Sequence, residues 1–234
     1  MLFSALPERA AEVRQRVADA RARGGHGQEV RIVAVTKMHG PEAVAAAVAA
    51  GLIDVGENAV QEALAKQDAL GAGGGAGAGG ATWHLIGHLQ RNKVKFLGRF
   101  SLFHAVDSAR LADAIDAFGV ARGAPVDVLL EVNVSGEASK GGFAPDDVTR
   151  EAERQATMRG LRVRGVMTMA PLDADEATLR RVFGGARGAR EACVRAGHAA
   201  VELSMGMSGD YEVAVEEGAT MVRLGTVLFG ERMP

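Results

Sequence analysis

Val30-Arg31-Ile32-Val33-Ala34-Val35-Thr36-Lys37 is the stretch that decides the fold. It is a β-branched run of strand length that stops at a lysine, and Met38-His39-Gly40-Pro41 then breaks the pattern with a Gly-Pro turn signal. From Pro41 an Ala-rich segment runs to Gly51, with the proline where a first helical turn tolerates it and the glycine placed as a C-cap. Strand, loop and helix make one unit. The lysine at the strand end needs a reason, because a buried ammonium is costly to desolvate. Such a residue either reaches solvent or is kept neutral for covalent chemistry.

The unit recurs along the chain. Short apolar runs predict further strands over 53–57, 82–89, 102–106, 126–134, 163–169, 201–205 and 221–229. Helical segments fall between them, over 61–70, 92–97, 111–118, 145–158, 178–196 and 211–217, and Asn58 is placed to cap the first of these with Gln61 reaching back. Upstream, Leu6, Ala10, Val13 and Val17 recur at helical spacing, which adds an outer helix over 7–23 ended by Gly24-Gly25. Eight strands alternating with helices can form an open doubly wound sheet or a closed barrel, and eight near-equal units favour closure. The expected fold is α/β: a (β/α)8 TIM barrel with an extra N-terminal helix, one domain spanning 1–234. Residues 71–80 are almost pure Gly and Ala and are expected to form a flexible surface loop.

Composition excludes several classes of function. Hydrophobic residues make up 47% and charged residues 24%, ordinary for a globular chain with a sizeable core. With a net charge of -2 and dispersed Lys and Arg, there is no electrostatic footprint for nucleic acid or an anionic membrane. The one cysteine, Cys193, has no intramolecular partner and reads as inert packing. The first residues carry Glu8, Arg9, Glu12 and Arg14 where a leader would be apolar, and no run reaches membrane-spanning length, so a cytoplasmic protein is expected. No separate apolar face is evident, which predicts a monomer.

In such a barrel the chemistry gathers where the βα loops converge, at the C-terminal strand ends. Lys37 lies there, with Asn58, Gly87 to Gln90, Asn133, Ser135, Met167 and Met169 facing the same mouth. Ser204-Met205-Gly206-Met207-Ser208-Gly209-Asp210 and Arg223-Leu224-Gly225-Thr226 make an anion site from the hydroxyls of Ser208 and Thr226, glycine N–H groups and a helix N-terminus. Ser208 and Asp210 acting only as helix caps is the simpler alternative. Alternation turns Arg223 inward, where an unpaired guanidinium would be expensive. An amine on the first strand beside an anion site on the last two is what pyridoxal 5′-phosphate (PLP) requires.

Five segments in order carry a specific resemblance: Ala34 to Lys37; Gly56-Glu57-Asn58 with Val60-Gln61-Glu62; His84 to Lys93; Leu203 to Ser208; and Met221 to Thr226 with Phe229-Gly230. Together they resemble the pyridoxal phosphate homeostasis proteins of the YggS type. That resemblance implies a PLP fold type III barrel similar to the alanine racemase N-terminal domain, with PLP as a Schiff base on Lys37. It further implies that Ser208, Gly225 and Thr226 hold the phosphate and Arg223 faces the ring nitrogen, with Asn58, Ser204 and Met205 completing the cofactor-binding set. The implied role is vitamin B6 balance without robust turnover, PLP-dependent apo-enzymes being the partners. Two departures stand out, the Gly-rich 71–80 segment and Gly209 before Asp210.

Two other readings stay open: a weak amino-acid racemase, and an aldolase-like barrel using Lys37 on a sugar phosphate. A racemase of this architecture needs a second base, and the one tyrosine, Tyr211, sits behind the anion loop where ring packing is the expectation. An arginine at the ring nitrogen also weakens the ring as an electron sink. No metal is expected: His84 and His88 would stand about 13 Å apart on a strand and are read as structural. Glu57, Glu131 and Glu202 are read as arginine partners.

Overall fold

The computed structural model describes residues 3–71, 78–137 and 140–230. Eight parallel strands close into a barrel in sequence order: β1 Arg31–Val35, β2 Asp54–Glu57, β3 Thr82–Leu85, β4 Leu102–Val106, β5 Val126–Glu131, β6 Leu161–Met167, β7 Glu202–Ser204 and β8 Met221–Leu224. Closure is made by β1 and β8, in register Ile32↔Val222, Val33↔Arg223 and Ala34↔Leu224. The first and last strands are therefore neighbours, and so are the loops that leave them.

The outer layer contains α2 Pro41–Ala49, α3 Val60–Ala69, α4 Ala109–Ala121, α5 Val148–Ala156, α6 Glu176–Arg195, α7 Tyr211–Glu216 and α8 Thr226–Phe229, with α1 Leu6–Gly24 preceding β1. Helix α1 buries Leu6, Ala10, Val13, Val17 and Ala20, the stripe that the sequence predicts, against α7 and α8. Gly24 lets it close on α7, since a Cβ there would stand 2.5 Å from Glu216 O.

Three expectations need correction. The segment after β3 is a 3-10 helix, Arg91–Arg99, and the buried side chains Val94 and Leu97 within it and Phe100 just after it recur every third residue, the period of that helix. The last strand stops at Leu224; the N–H groups of Leu228 and Phe229 donate to the Gly225 carbonyl and turn the chain into α8. Helix α3 is N-capped at Ala59 with no side-chain bond, so Asn58 is no cap. Of the segment expected to be a flexible loop, residues 72–77 lie outside the described residues.

Candidate functional site

Lys37 is fixed by its backbone neighbours. Thr36 follows the last residue of β1 and is fully buried; its carbonyl accepts from Lys66 Nζ at 2.7 Å and from His39 N at 3.1 Å. Met38 follows in the left-handed region at φ 64°, a conformation costing about 1 kcal/mol for a residue with a Cβ, and its N–H donates to the Glu62 carboxylate. Lys66 also bonds Glu57 at 2.6 Å and Glu62 at 2.8 Å. The buried Glu57 thus takes a lysine partner and the Thr36 hydroxyl in place of the expected arginine. Burial still pushes its carboxyl above the ordinary range against those two bonds.

The Lys37 side chain is half-buried and makes no hydrogen bond or ion pair with a described residue. It lines a cavity of about 860 Å³ at the C-terminal end of the barrel, together with Val35, Asn58, Ser208, Arg223, Gly225 and Thr226. Val33 pairs with Arg223 and β1 ends at Val35, so Lys37 lies four residues beyond the register level of Arg223, past the end of the strand. Gly225 sits between these levels; a Cβ there would project over the Val35 carbonyl at 3.6 Å. Ser208 Oγ accepts from Val227 N at 3.3 Å, joining the β7–α7 loop to the β8–α8 loop. Asp210 accepts from Met207 N at 2.6 Å within that loop but does not cap α7.

Arg223 forms part of the cavity wall, donating through Nη1 to Ser204 Oγ at 2.7 Å and through Nη2 to the Thr168 carbonyl at 3.0 Å. Burial pushes its guanidinium down to about 10, opposed by Asp210 and Glu131, so it remains a cation at neutral pH. Those two carboxyls are in turn raised by their own burial.

Ser204 and Met205 are fully buried and do not line the cavity; Ser204 touches Arg223 from beneath. Asn133 and Ser135 are turned away as well, Asn133 donating to the Glu137 and Lys140 carbonyls and Ser135 to Asn133. Gly87, His88, Met167 and Met169 do reach the wall. His88 bonds Asp107 at 2.7 Å, and Lys140 reaches back from the loop after β5 to the Ala170 carbonyl at 3.0 Å. Asp107 and Lys140 carry no motif that marks them in the sequence. Tyr211 does not line the cavity: it is buried at the start of α7 with the Arg16 guanidinium 5.7 Å over its ring. Glu202 pairs with Arg31 at 2.5 Å, whereas Glu131 lies in the cavity wall.

The alanine racemase N-terminal domain family matches residues 9–233. The chain is 40% identical to the pyridoxal phosphate homeostasis protein of Aquifex aeolicus, over 96% of this chain and 97% of that one. It belongs to the pyridoxal phosphate homeostasis protein family. A second member, from Pseudomonas aeruginosa, is 40% identical over 98% of this chain and 97% of its own. The structure of the family member PipY from Synechococcus elongatus PCC7942, with PLP bound, superposes with a TM-score of 0.83 at 36% identity, covering 96% of this chain and all of that one. Among the described residues of this pyridoxal phosphate homeostasis family member, no helix is long and apolar enough to cross a membrane. No group of three or more His, Cys, Asp or Glu side chains there could hold a metal ion.

Proposed function

We propose that this chain binds PLP in the cavity, held covalently through Lys37, and serves in intracellular vitamin B6 balance as a cytoplasmic carrier without sustained turnover. The observation that carries the reading is the Lys37 amine, unpaired among the described residues, in one cavity wall with the buried Arg223 of the adjoining strand. The donor set fits the group: a free primary amine for an aldehyde, a cation for a ring nitrogen, and the hydroxyls of Ser208 and Thr226 beside glycine backbone for a phosphate. The PLP-bound structure of PipY and the kinship with pyridoxal phosphate homeostasis proteins support the same ligand.

When bound, PLP supplies an aldehyde that condenses with primary amines and a ring that withdraws electrons. Arg223 would meet that ring as a cation already engaged with Ser204 and Thr168 and so would not hand its nitrogen a proton. Such a site would suit storage and delivery to apo-enzymes better than proton exchange at an amino acid. Ser208, Gly225 and Thr226 would hold the phosphate end, with Asn58 lining the cavity from the loop after β2. The unit acts as one cofactor-binding domain and as a single copy.

Equilibrium titration with PLP tests this. Wild type is expected to develop a visible absorption band that saturates at one equivalent, and Lys37→Ala is expected to show none. A Lys37→Ala protein with the same band would refute the assignment.

A further inference from the structure

The interior of the barrel beneath the cavity carries a line of polar side chains where such barrels pack branched apolar ones. Arg223 Nη1 lies 2.7 Å from Ser204 Oγ, Ser204 Oγ lies 2.9 Å from His104 Nδ1, His104 Nε2 lies 2.9 Å from His84 Nδ1, and His84 Nε2 lies 2.8 Å from Asp54 Oδ1. The line starts at β8, passes through β7, β4 and β3, and ends at the first residue of β2, at the end of the barrel away from the cavity. Ser204 and His104 are fully enclosed, and His84 is 1% exposed.

Donor and acceptor counting gives the line one direction. A guanidinium only donates and a carboxylate only accepts. With both imidazoles neutral, fixing the ends fixes the middle: Arg223 donates to Ser204, the Ser204 hydroxyl to His104 Nδ1, the His104 Nε2–H to His84 Nδ1, and the His84 Nε2–H to Asp54. Each ring then carries its proton on Nε2, and each of these four bonds has one donor and one acceptor. Enclosure above all, with the neighbouring Arg223 and Arg31 charges, holds His104 well below the ordinary imidazole range, which agrees with a neutral ring. The other charged groups at the far end are Arg31, 4.0 Å from Asp54, and Glu202, with which Arg31 pairs.

Packed apolar side chains are commonly as stable as a buried polar line or more so, which directs attention to what the line holds in place. We propose that Asp54, His84, His104 and Ser204 are positioning residues that lock the Arg223 guanidinium in the cavity wall from the opposite end of the barrel. The part of this that concerns the ring nitrogen rests on the PLP reading above; the line itself does not.

The test uses the full-length protein in two arms. In the first, 15N-detected NMR of the histidines without added PLP should find His84 and His104 carrying the proton on Nε2 at pH 7.5, with His104 unchanged from pH 8 to pH 5. A proton on Nδ1 of either ring, or ordinary imidazole titration of His104, would overturn the line. In the second, PLP is titrated into wild type, Ser204→Ala and Asp54→Asn, each first shown by thermal melting to be folded. Ser204→Ala should raise the PLP dissociation constant about tenfold, the scale of one bond to a charged group. Asp54→Asn, outside the cavity, should raise it several-fold, and both should shift the pH midpoint of the visible band. If wild type binds PLP and both variants match it in affinity and midpoint, the positioning role is wrong and the PLP reading survives. If wild type forms no band while the tautomers are as assigned, the PLP reading fails and the line still stands.

Discussion

Lys66 Nζ donates a 2.7 Å hydrogen bond to the Thr36 carbonyl, so a buried amine fixes the peptide that precedes the cavity amine of Lys37. The same nitrogen ties β2 through Glu57 and the start of α3 through Glu62, whose carboxylate also holds Met38 N. The Lys37 backbone is thereby set by charges that never enter the cavity.

Lys66→Met removes the cation and leaves Glu57 enclosed, where one oxygen already lacks a partner. Breaking a buried pair from one side costs about 3 to 5 kcal/mol, and Glu57 can soften this by taking a proton, so the expected loss is about 3 kcal/mol. Urea denaturation measures it. A loss under about 1 kcal/mol would show that the pair is not what holds the loop.

Gly119 lies inside α4, where helix propensity alone predicts that alanine would gain about 1 kcal/mol. Its Cβ would stand 1.8 Å from the Gly160 carbonyl, and backbone cannot rotate out of the way as a side chain can. Gly119→Ala should therefore lose about 2 kcal/mol in chemical denaturation. A stabilised variant would mean that the turn before β6 yields easily.

How much the sequence shows depends on what a residue must touch. The barrel is legible because β-branched runs such as 30–37 and the stripe Leu6, Ala10, Val13, Val17 bury one face each, and periodicity records burial directly. Lys37 and Arg223 are legible because an amine or guanidinium at the end of such a run conflicts with its surroundings. The Ser204 contact is not, since alternation places it inward without saying whether it meets the cavity or Arg223 beneath it. His84, His104 and Asp54 lie on three strands with no shared motif, and Asp107 and Lys140 reach the cavity from separate loops. Only the closed register brings them together. The 3-10 helix Arg91–Arg99 was hidden because spacings of three and of three to four agree over so short a run.

Glu216 links α7 to α1 and α6, accepting from Arg23 at 2.6 Å and from Arg180 at 2.6 Å. The bond from Arg180, followed by that from Arg23, holds its carboxyl below the ordinary range. A carboxylate lowered on folding adds stability above its unfolded value, and that contribution is lost as pH falls through the folded one. Near the surface the pairs are screened, so Glu216→Gln should cost about 1 kcal/mol at pH 7. Stability curves of the two proteins should converge on the acid side of pH 4.5, the ordinary value for this group. A gap that persists undiminished to pH 3 would assign the effect to packing.

Arg223→Met separates stability from binding. Removing the guanidinium leaves the buried Thr168 carbonyl without that donor, at about 1 to 3 kcal/mol, while a buried cation no longer has to be desolvated and Glu131 and Asp210, already raised by burial, can take protons. The variant should lose about 1 to 2 kcal/mol of stability and stay folded while its PLP dissociation constant rises at least about tenfold. Equal affinity would remove Arg223 from the site.

The most direct measurement is reduction of the PLP-loaded protein with borohydride, followed by peptide mapping of the fixed adduct. The account predicts one adduct, on Lys37, in the peptide that contains Thr36 and Met38. A principal adduct on Lys66, Lys93, Lys95 or Lys140, or none at all under saturating PLP, would contradict it.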